Sequence, residues 1–175
     1  NLYVNDAFSC SHRAHASITG IPAILKSAAG FQMEAELDNL TNLLEHAKKP
    51  MFAIVGGAKV STKIPILKTL LSSIDSLFIG GAMANTFFVS QKKEVGKSLV
   101  ENDQVANAHK ILTSATYANK KIMLPLDVVV TTDIESGENT RVVDVDKVGS
   151  ADIMVDIGPQ TVAGIEHILP ANGSV

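Results

Sequence analysis

The chain has 175 residues, which is enough for one globular domain or for one domain and part of a second. It carries 15 lysines and arginines against 18 aspartates and glutamates, so its formal net charge is −3. This balance argues against the basic face that binding to nucleic acid usually needs. Hydrophobic residues make up 46% of the chain, which predicts a buried core rather than disorder, and no apolar run has the length of a membrane span.

The cysteine content and the two ends of the chain indicate where the protein works. Cys10 is the only cysteine, so no intrachain disulfide can form and a reducing compartment, the cytoplasm, is expected. The first residues carry no secretory signal pattern. The chain begins inside a predicted strand, and residues 172–174 form a predicted turn that leads into another strand. We therefore expect an internal segment of a longer protein.

The first clear helix is predicted over residues 33–47. Met33, Leu37, Leu40 and Leu44 recur at spacings of 4, 3 and 4 residues, which places them on one helical face. Such a face is expected to be buried. The helix is either part of a core or a connector between two lobes.

Beyond residue 50 the pattern alternates between apolar runs of strand length and helical periods. Strands are predicted at 51–55, 76–79, 122–124, 128–130 and 153–155, in addition to a first strand at 2–4. Helices are predicted at 61–74, 82–89, 102–116 and 161–169, with a hairpin or surface turn at 136–139. Strands that are apolar throughout and alternate with helices indicate an α/β fold, with a parallel sheet flanked by helices.

Paired glycines end two of these strands, Gly56-Gly57 and Gly80-Gly81. In an open parallel sheet, ligands bind beyond the carboxyl ends of the strands, and glycine lets a ligand lie against the backbone. Lys59 and Lys63 follow the first pair and lead into a predicted helix start, where backbone N–H groups favour an anion. This pattern predicts phosphate binding. The alternative is a tight turn with solvated lysines.

Other motifs carry less information. Residues 96–98 resemble the end of a Walker A loop, but Gln91 stands where its first glycine should be. His12, Arg13 and His15 form a basic cluster after the first strand, which is either an anion site or an ordinary surface loop. The histidines lack a matching pair, so a zinc site is not supported.

Two aspartates stand next to predicted strands. Asp127 and Asp156 are interpreted as caps or turn formers rather than as acid–base groups.

Several segments, in chain order, resemble motifs of the phosphoglycerate kinase family. They are YVNDAF (3–8) with HRAH (12–15), AGFQME (29–34), GGAKVSTK (56–63), GGAMANTF (80–87), GKSL (96–99), LPLD (124–127) and DIGP (156–159). The resemblance covers essentially the whole chain. It implies two α/β lobes: residues 1–32 end the N-terminal substrate-binding lobe, 33–48 form the interdomain helix, and 49–175 begin the C-terminal nucleotide-binding lobe.

The resemblance also implies an activity. Members of the family transfer a phosphoryl group reversibly between 1,3-bisphosphoglycerate and ADP in glycolysis, giving 3-phosphoglycerate and ATP. Mg²⁺ accompanies the nucleotide, and its binding residue is expected outside this chain, as are further substrate motifs. The chain as given is then incomplete and expected to be inactive alone. A cytoplasmic monomer without nucleic-acid or membrane partners is expected.

The same resemblance implies roles for individual residues. Arg13 binds the phosphate of 3-phosphoglycerate, with His12 beside it. Lys59 is the catalytic residue that stabilises the phosphoryl group in transit. The implied nucleotide-binding residues are Gly56, Gly57, Ala58, Lys63, Gly81 and Leu99, where the lysine contacts the phosphates and Leu99 lines the adenine pocket.

The sequence departs from the family motifs at two places, and two other functions are considered beside phosphoryl transfer. Residues 9–11 replace the usual sequence before His12, and Ala82 stands where many members have a third glycine. A non-catalytic nucleotide-binding module would keep the glycines and Lys63 but show no phosphoryl transfer. A nicotinamide-dependent dehydrogenase would need a GxGxxG motif, which neither glycine pair forms.

Overall fold

The computed structural model describes residues 1–169 and 175, which form two compact units, Asn1–Ala47 and Lys48–Val175. The turn predicted at 172–174 lies outside the described residues. No helix in the described part of the chain is both long enough and apolar enough to cross a bilayer.

The first unit contains a short parallel pair of strands and one long helix. Strand β1 (Tyr3–Asn5) pairs with β2 (Ser27–Ala29), and helix α1 (Phe31–Glu45) follows. Single helical turns occupy the connection between the strands. Strand β2 is not predicted from the sequence, because its three residues are small and exposed and so carry no apolar signal.

Helix α1 is anchored at its N-terminal end. Gly30, its N-cap, is buried and donates its N–H to the carbonyl of Asn5 at 2.8 Å. The Met33 N–H donates to Oδ1 of Asp6, also at 2.8 Å. A Cβ at Gly30 would collide with the Asp6 carboxyl group. The carboxylate of Asp6, the residue after β1, therefore caps α1, whose own N-cap residue is a glycine without a side chain.

The prediction that one apolar face of α1 is buried is wrong beyond the first turn of the helix. Met33 is buried, but Leu37 is 45% and Leu40 is 41% exposed. The side chain of Leu44 lies outside the described residues. The cause is that packing within this unit is concentrated near the start of the helix, at the turn Phe8–Cys10 and at Asp6.

The second unit begins with the predicted parallel sheet. Its strands are β3 (Phe52–Val55), β4 (Ser76–Ile79) and β5 (Lys121–Met123), in the order β3-β4-β5. The connecting helices are α2 (Ile64–Ser73), α3 (Met83–Ser90) and α4 (Val105–Tyr117). Val55 lies opposite Ile79, so the two glycine pairs that follow start at the same edge of the sheet.

The later strands form a second sheet that was not predicted. Strand β6 (Asp127–Thr131) lies between β7 (Arg141–Asp144) and β8 (Ile153–Ile157), and both pairings are antiparallel. The expectation that 128–130 and 153–155 belong to a parallel sheet is therefore wrong. Because β6 is the central strand and is buried at most positions on both faces, its middle residues 128–130 are all apolar, as they would be in a parallel strand. The turn at 136–139 joins β6 to β7 as a hairpin, as predicted.

Helix α5 (Pro159–Ile168) follows β8, and its start is held by β6. The carboxylate of Asp127 accepts hydrogen bonds from the N–H groups of Gln160 at 3.0 Å and Thr161 at 2.8 Å. The interpretation of Asp127 as a cap is confirmed, although the helix it caps lies more than 30 positions downstream. Asp156 accepts the N–H of Ile157 at 2.8 Å and is exposed.

The Walker-like segment 96–98 serves a structural purpose. The Lys97 N–H donates to the Asp152 carbonyl at 2.7 Å, and Ser98 Oγ accepts the N–H of Met154 at 2.9 Å. Gly96 has a φ of +59° and sits so close to the Asp152 carbonyl that a Cβ would collide with it. The connection between α3 and α4 is thereby joined to β8.

Candidate functional site

The two glycine pairs meet at the carboxyl edge of the parallel sheet. The Met83 N–H donates to the Gly57 carbonyl at 2.9 Å, and the Gly80 N–H donates to that of Val55 at 2.9 Å. Gly81 has a φ of +65°, and a Cβ on it would lie 2.9 Å from both the nitrogen and the oxygen of Gly57. Only glycine fits there, because a side chain would push the two loops apart.

The loop after Gly57 differs from the predicted helix start. Helix α2 begins at Ile64 rather than 61, and the N–H groups of Lys63 and Ile64 both donate to the Val60 carbonyl, at 2.8 and 3.0 Å. Val60 is fully buried and anchors the turn. Lys59 therefore lies in an exposed loop, whereas Lys63 is the half-buried N-cap residue of α2.

The structure brings Lys63 to the glycines. Its Cε lies 3.9 Å from the position that a Cβ on Gly57 would occupy. Among the described residues, the ammonium groups of Lys59 and Lys63 are not paired with a carboxylate. Two unpaired cations, a helix N-terminus and exposed glycine backbone form an electropositive edge, and such an edge favours anions.

A small cleft of about 110 Å³ lies beside Gly81. It is bounded on one side by the start of α3 and on the other by β6 and β8; its lining residues are Gly81, Ala82, Ala84, Asn85, Phe88, Pro125, Val128, Met154, Val155, Asp156 and Ile157. Leu99 does not line this cleft and is 56% exposed. Gly56 and Ala58 are exposed, and a Cβ on Gly56 would lie 3.9 Å from the Gly80 carbonyl.

The basic cluster His12 and Arg13 lies in the first unit. Both side chains are exposed, and the Arg13 N–H donates to the Cys10 carbonyl at 2.9 Å. The unusual segment 9–11 is held in place because Asn5 Nδ2 donates to Ser11 Oγ at 3.0 Å. The loop after β1 therefore presents the Arg13 guanidinium, which forms no ion pair with any residue that the structure describes.

Three residues near the glycine edge were not found from the sequence. Asn85 and Thr86 are buried in α3, where Asn85 Nδ2 donates to the Leu99 carbonyl at 3.1 Å and Thr86 Oγ1 accepts the Glu101 N–H at 3.1 Å. Two adjacent polar residues between apolar neighbours on both sides are a signal that could have identified Asn85 and Thr86. Nothing in the sequence pattern indicated Glu101.

The charged groups at this edge suit phosphate better than metal. Mg²⁺ prefers oxygen ligands, whereas the side chains of Lys59 and Lys63 end in ammonium groups, which donate hydrogen bonds and cannot coordinate a metal ion. Across the described residues, no group of three or more His, Cys, Asp or Glu side chains is placed to hold a metal ion.

A parallel sheet whose glycine-rich strand ends meet two unpaired lysines defines an α/β protein with an electropositive ligand edge. The sequence model of the family described as "Phosphoglycerate kinase" matches residues 1–175, so the chain belongs to the phosphoglycerate kinase family. This membership confirms the family suggested by the ordered motifs and sets aside the dehydrogenase interpretation.

Individual relatives agree with the family match. The phosphoglycerate kinases of Cereibacter sphaeroides and Herpetosiphon aurantiacus are 48% and 47% identical to the chain, over 95% and 92% of its length. The solved structure of phosphoglycerate kinase from Coxiella burnetii covers 95% of the chain with a TM-score of 0.84 at 39% identity. That from Pyrococcus horikoshii covers 97% with a TM-score of 0.80 at 26% identity.

The match covers only part of each relative. The chain spans 42% of the length of the Cereibacter sphaeroides protein and 43% of the Coxiella burnetii structure.

Proposed function

We propose that this chain supplies the nucleotide edge of a phosphoglycerate kinase, which transfers a phosphoryl group between 1,3-bisphosphoglycerate and ADP and forms 3-phosphoglycerate and ATP. The observation that carries the proposal is the meeting of Gly57, Gly81 and Lys63 beside an unpaired Lys59. In this proposal Gly56, Ala58 and Leu99 also contact the nucleotide. The family membership of the whole chain supports it.

The roles of the two lysines follow from their positions. Lys63 stands at the start of α2, where its ammonium adds to the helix dipole and binds nucleotide phosphates. Lys59 lies in the exposed loop and neutralises charge on the phosphoryl group as it moves. Transfer needs no covalent intermediate with the protein, so positioning and charge neutralisation supply the catalysis.

The first unit supplies the other substrate in this proposal. Arg13 binds the phosphate of 3-phosphoglycerate, because a guanidinium grips phosphate through two parallel hydrogen bonds, and His12 lies next to it in the chain. In this proposal residues 1–32 are the end of a substrate lobe, 33–48 the connecting segment, which is formed mostly by α1, and 49–175 the start of the nucleotide lobe. The division between Ala47 and Lys48 supports this assignment.

Mg²⁺ is proposed to bind together with the nucleotide. The residues at the glycine edge fit phosphate oxygens and not the ion itself, so we place the ion on the phosphates and its protein ligand outside this chain. When bound, Mg²⁺ neutralises charge on the transferred group. The protein is proposed to act as a cytoplasmic monomer, in keeping with its single cysteine and its net charge of −3, and without nucleic-acid or membrane partners.

The test is the substitution Lys59→Ala in the full-length gene product. If Lys59 stabilises the moving phosphoryl group, kcat should fall by about 10²–10³, the range found when one such donor is removed. KM for ATP should change far less, because the lost interaction strengthens only in the transition state. Lys59→Arg should not restore the full rate, since the guanidinium is larger and planar.

Lys68→Ala is the matched control, because Lys68 is an exposed lysine of α2 that lies beyond the loop carrying Lys59 and Lys63. Its kcat should equal that of the wild type. A wild-type protein that binds ADP but transfers no phosphoryl group would favour the non-catalytic binding module. Near-normal kcat in Lys59→Ala would leave Lys59 as a solvated lysine.

A further inference from the structure

The loop from Gly57 to Lys63 (the glycine loop) is bound at its middle by the carboxylate of Glu101, which belongs to a later segment of the chain. Glu101 accepts two hydrogen bonds from Ser61: the backbone N–H donates to Oε2 at 3.0 Å and the hydroxyl donates to Oε1 at 2.6 Å. Ser61 lies midway between Lys59 and Lys63. The two contacts therefore act on the short backbone segment that carries both cations.

Glu101 is itself fixed by buried groups. Its N–H donates to Thr86 Oγ1 at 3.1 Å, and the carbonyl of Leu99, two positions before it, accepts from Asn85 Nδ2 at 3.1 Å. Asn85 and Thr86 are buried in α3, the helix that begins directly after the second glycine pair. Helix α3 thus fixes the backbone at Leu99 and Glu101, and the Glu101 carboxylate in turn binds the loop at Ser61.

The charge of Glu101 is directed at the loop backbone rather than at a lysine. Hydrogen bonds from the Ser61 side chain and then from its backbone lower the pKa of the Glu101 carboxyl, so it is ionised at neutral pH. Among the described residues it forms no ion pair with Lys59 or Lys63. The carboxylate orders the loop while both ammonium groups stay available for a ligand.

From this geometry we infer that Glu101 is a positioning residue for phosphoryl transfer, acting through Ser61 to hold Lys59 where the transferred group passes. The inference rests on the proposed function. An error of about 1 Å in the position of a reacting group can reduce a rate 10²-fold, so a loop held at one point can control kcat.

The experiment compares Glu101→Ala, Glu101→Gln and Ser61→Ala in the full-length gene product. Glu101→Ala should reduce kcat about tenfold or more, with a change in KM for ADP of less than about threefold. Glu101→Gln should recover most of the rate, because its amide oxygen can accept the Ser61 N–H while its NH₂ donates to the hydroxyl. Adding Ser61→Ala to Glu101→Ala should have no further effect, since the contact is already lost.

Asp103→Ala is the matched control. Asp103 is an exposed acid two positions beyond Glu101, and its carboxylate accepts a hydrogen bond from the Gln104 side chain at 2.8 Å. Its kcat should match the wild type. A purely structural role for Glu101 would lower the thermal midpoint but leave kcat within about twofold, and that result would overturn the inference.

The two proposals fail differently. An active wild type in which Lys59→Ala is severely impaired and Glu101→Ala is not overturns the positioning role alone. Equal losses in Glu101→Ala and Asp103→Ala also overturn it. A full-length wild type without phosphoryl transfer overturns the proposed function and this inference together.

Discussion

Asp127 and Thr161 hold each other through reciprocal hydrogen bonds across 34 positions of the chain. The Thr161 N–H and hydroxyl donate to Asp127 Oδ1 at 2.8 and 2.7 Å, while Thr161 Oγ1 accepts the Asp127 N–H at 3.1 Å. Both residues are buried. The start of β6 and the first turn of α5 therefore satisfy one another's polar groups in a place that water does not reach.

Asp127→Asn should lower the free energy of unfolding by about 1–3 kcal/mol, because the amide NH₂ would face backbone N–H donors. Urea unfolding of the full-length gene product measures the effect. Asp156→Asn is the control, since its exposed side chain can still accept the Ile157 N–H. Equal stability of the two variants would show that the buried cap contributes nothing.

The same carboxylate predicts a pH dependence. Burial acts to raise the pKa of Asp127, but hydrogen bonds from Thr161 and Gln160 outweigh it, and the pKa is lowered overall. Because the pKa of Asp127 is lower in the folded state, the ionised carboxylate stabilises the fold at every pH above the unfolded-state pKa, which is near 4. This stabilisation is lost as the pH falls from there through the folded-state pKa. The stability gap between wild type and Asp127→Asn should therefore narrow between pH 7 and pH 3; a constant gap would contradict this.

Gly81→Ala should do more than place alanine at a positive φ, because its Cβ would also displace Gly57 at the carboxyl edge of the parallel sheet. Gly137 has almost the same φ, +64° against +65°, but nothing lies within 4 Å of a Cβ placed on it. Gly137→Ala should thus cost only the left-handed penalty of about 1–2 kcal/mol and leave ADP affinity unchanged. Gly81→Ala should also weaken ADP binding about tenfold or more, measured by calorimetry, because Gly57 must move. Equal ADP affinity in both variants would refute the steric argument.

Neighbouring residues on α2 provide a test of the core. Leu67 is fully buried and Ile66 is 48% exposed. Leu67→Ala should lower the free energy of unfolding by about 2–5 kcal/mol, whereas Ile66→Ala should lower it by less than about 1 kcal/mol. Thermal unfolding distinguishes them, and similar midpoints would mean that the phase of the helix is incorrect.

Arg13→Ala should weaken 3-phosphoglycerate binding by about 1.5–3 kcal/mol, the value of a hydrogen bond to a charged group. ADP affinity should remain nearly unchanged, because Arg13 and the glycine loop belong to different compact units. Calorimetric titration of the variant with 3-phosphoglycerate and with ADP measures the two affinities separately. A parallel loss of both affinities would contradict a substrate-specific role.

The parallel sheet and its helices were predictable because each strand there centres on an apolar run and because α2 and α4 have a clear helical period. The antiparallel β6–β8 pair was mistaken for part of that sheet, since a central strand buried on both faces has the same composition in either direction. The exposed Leu37 and Leu40 show a related limit: periodicity identifies an apolar face but not what covers it.

The glycines and lysines of the candidate site were visible in the sequence because strand ends and helix starts are local features. Glu101 was not visible, because its partner Ser61 lies 40 positions away and only tertiary packing brings them together. The role of Leu99 at the nucleotide stays a prediction: the structure shows that its side chain is exposed and that its carbonyl accepts a hydrogen bond from Asn85 of α3.

The glycine N-caps of α1 and α5 have a consequence for synthesis of the chain. Neither Gly30 nor Gly158 has a side chain to cap its helix, and a Cβ on either would collide with Asp6 or Asp127, respectively. Each aspartate is made before the helix that needs it, so the acceptor has already left the ribosome when the helix emerges. A peptide that contains either helix alone would lack its cap and would form little helix in water.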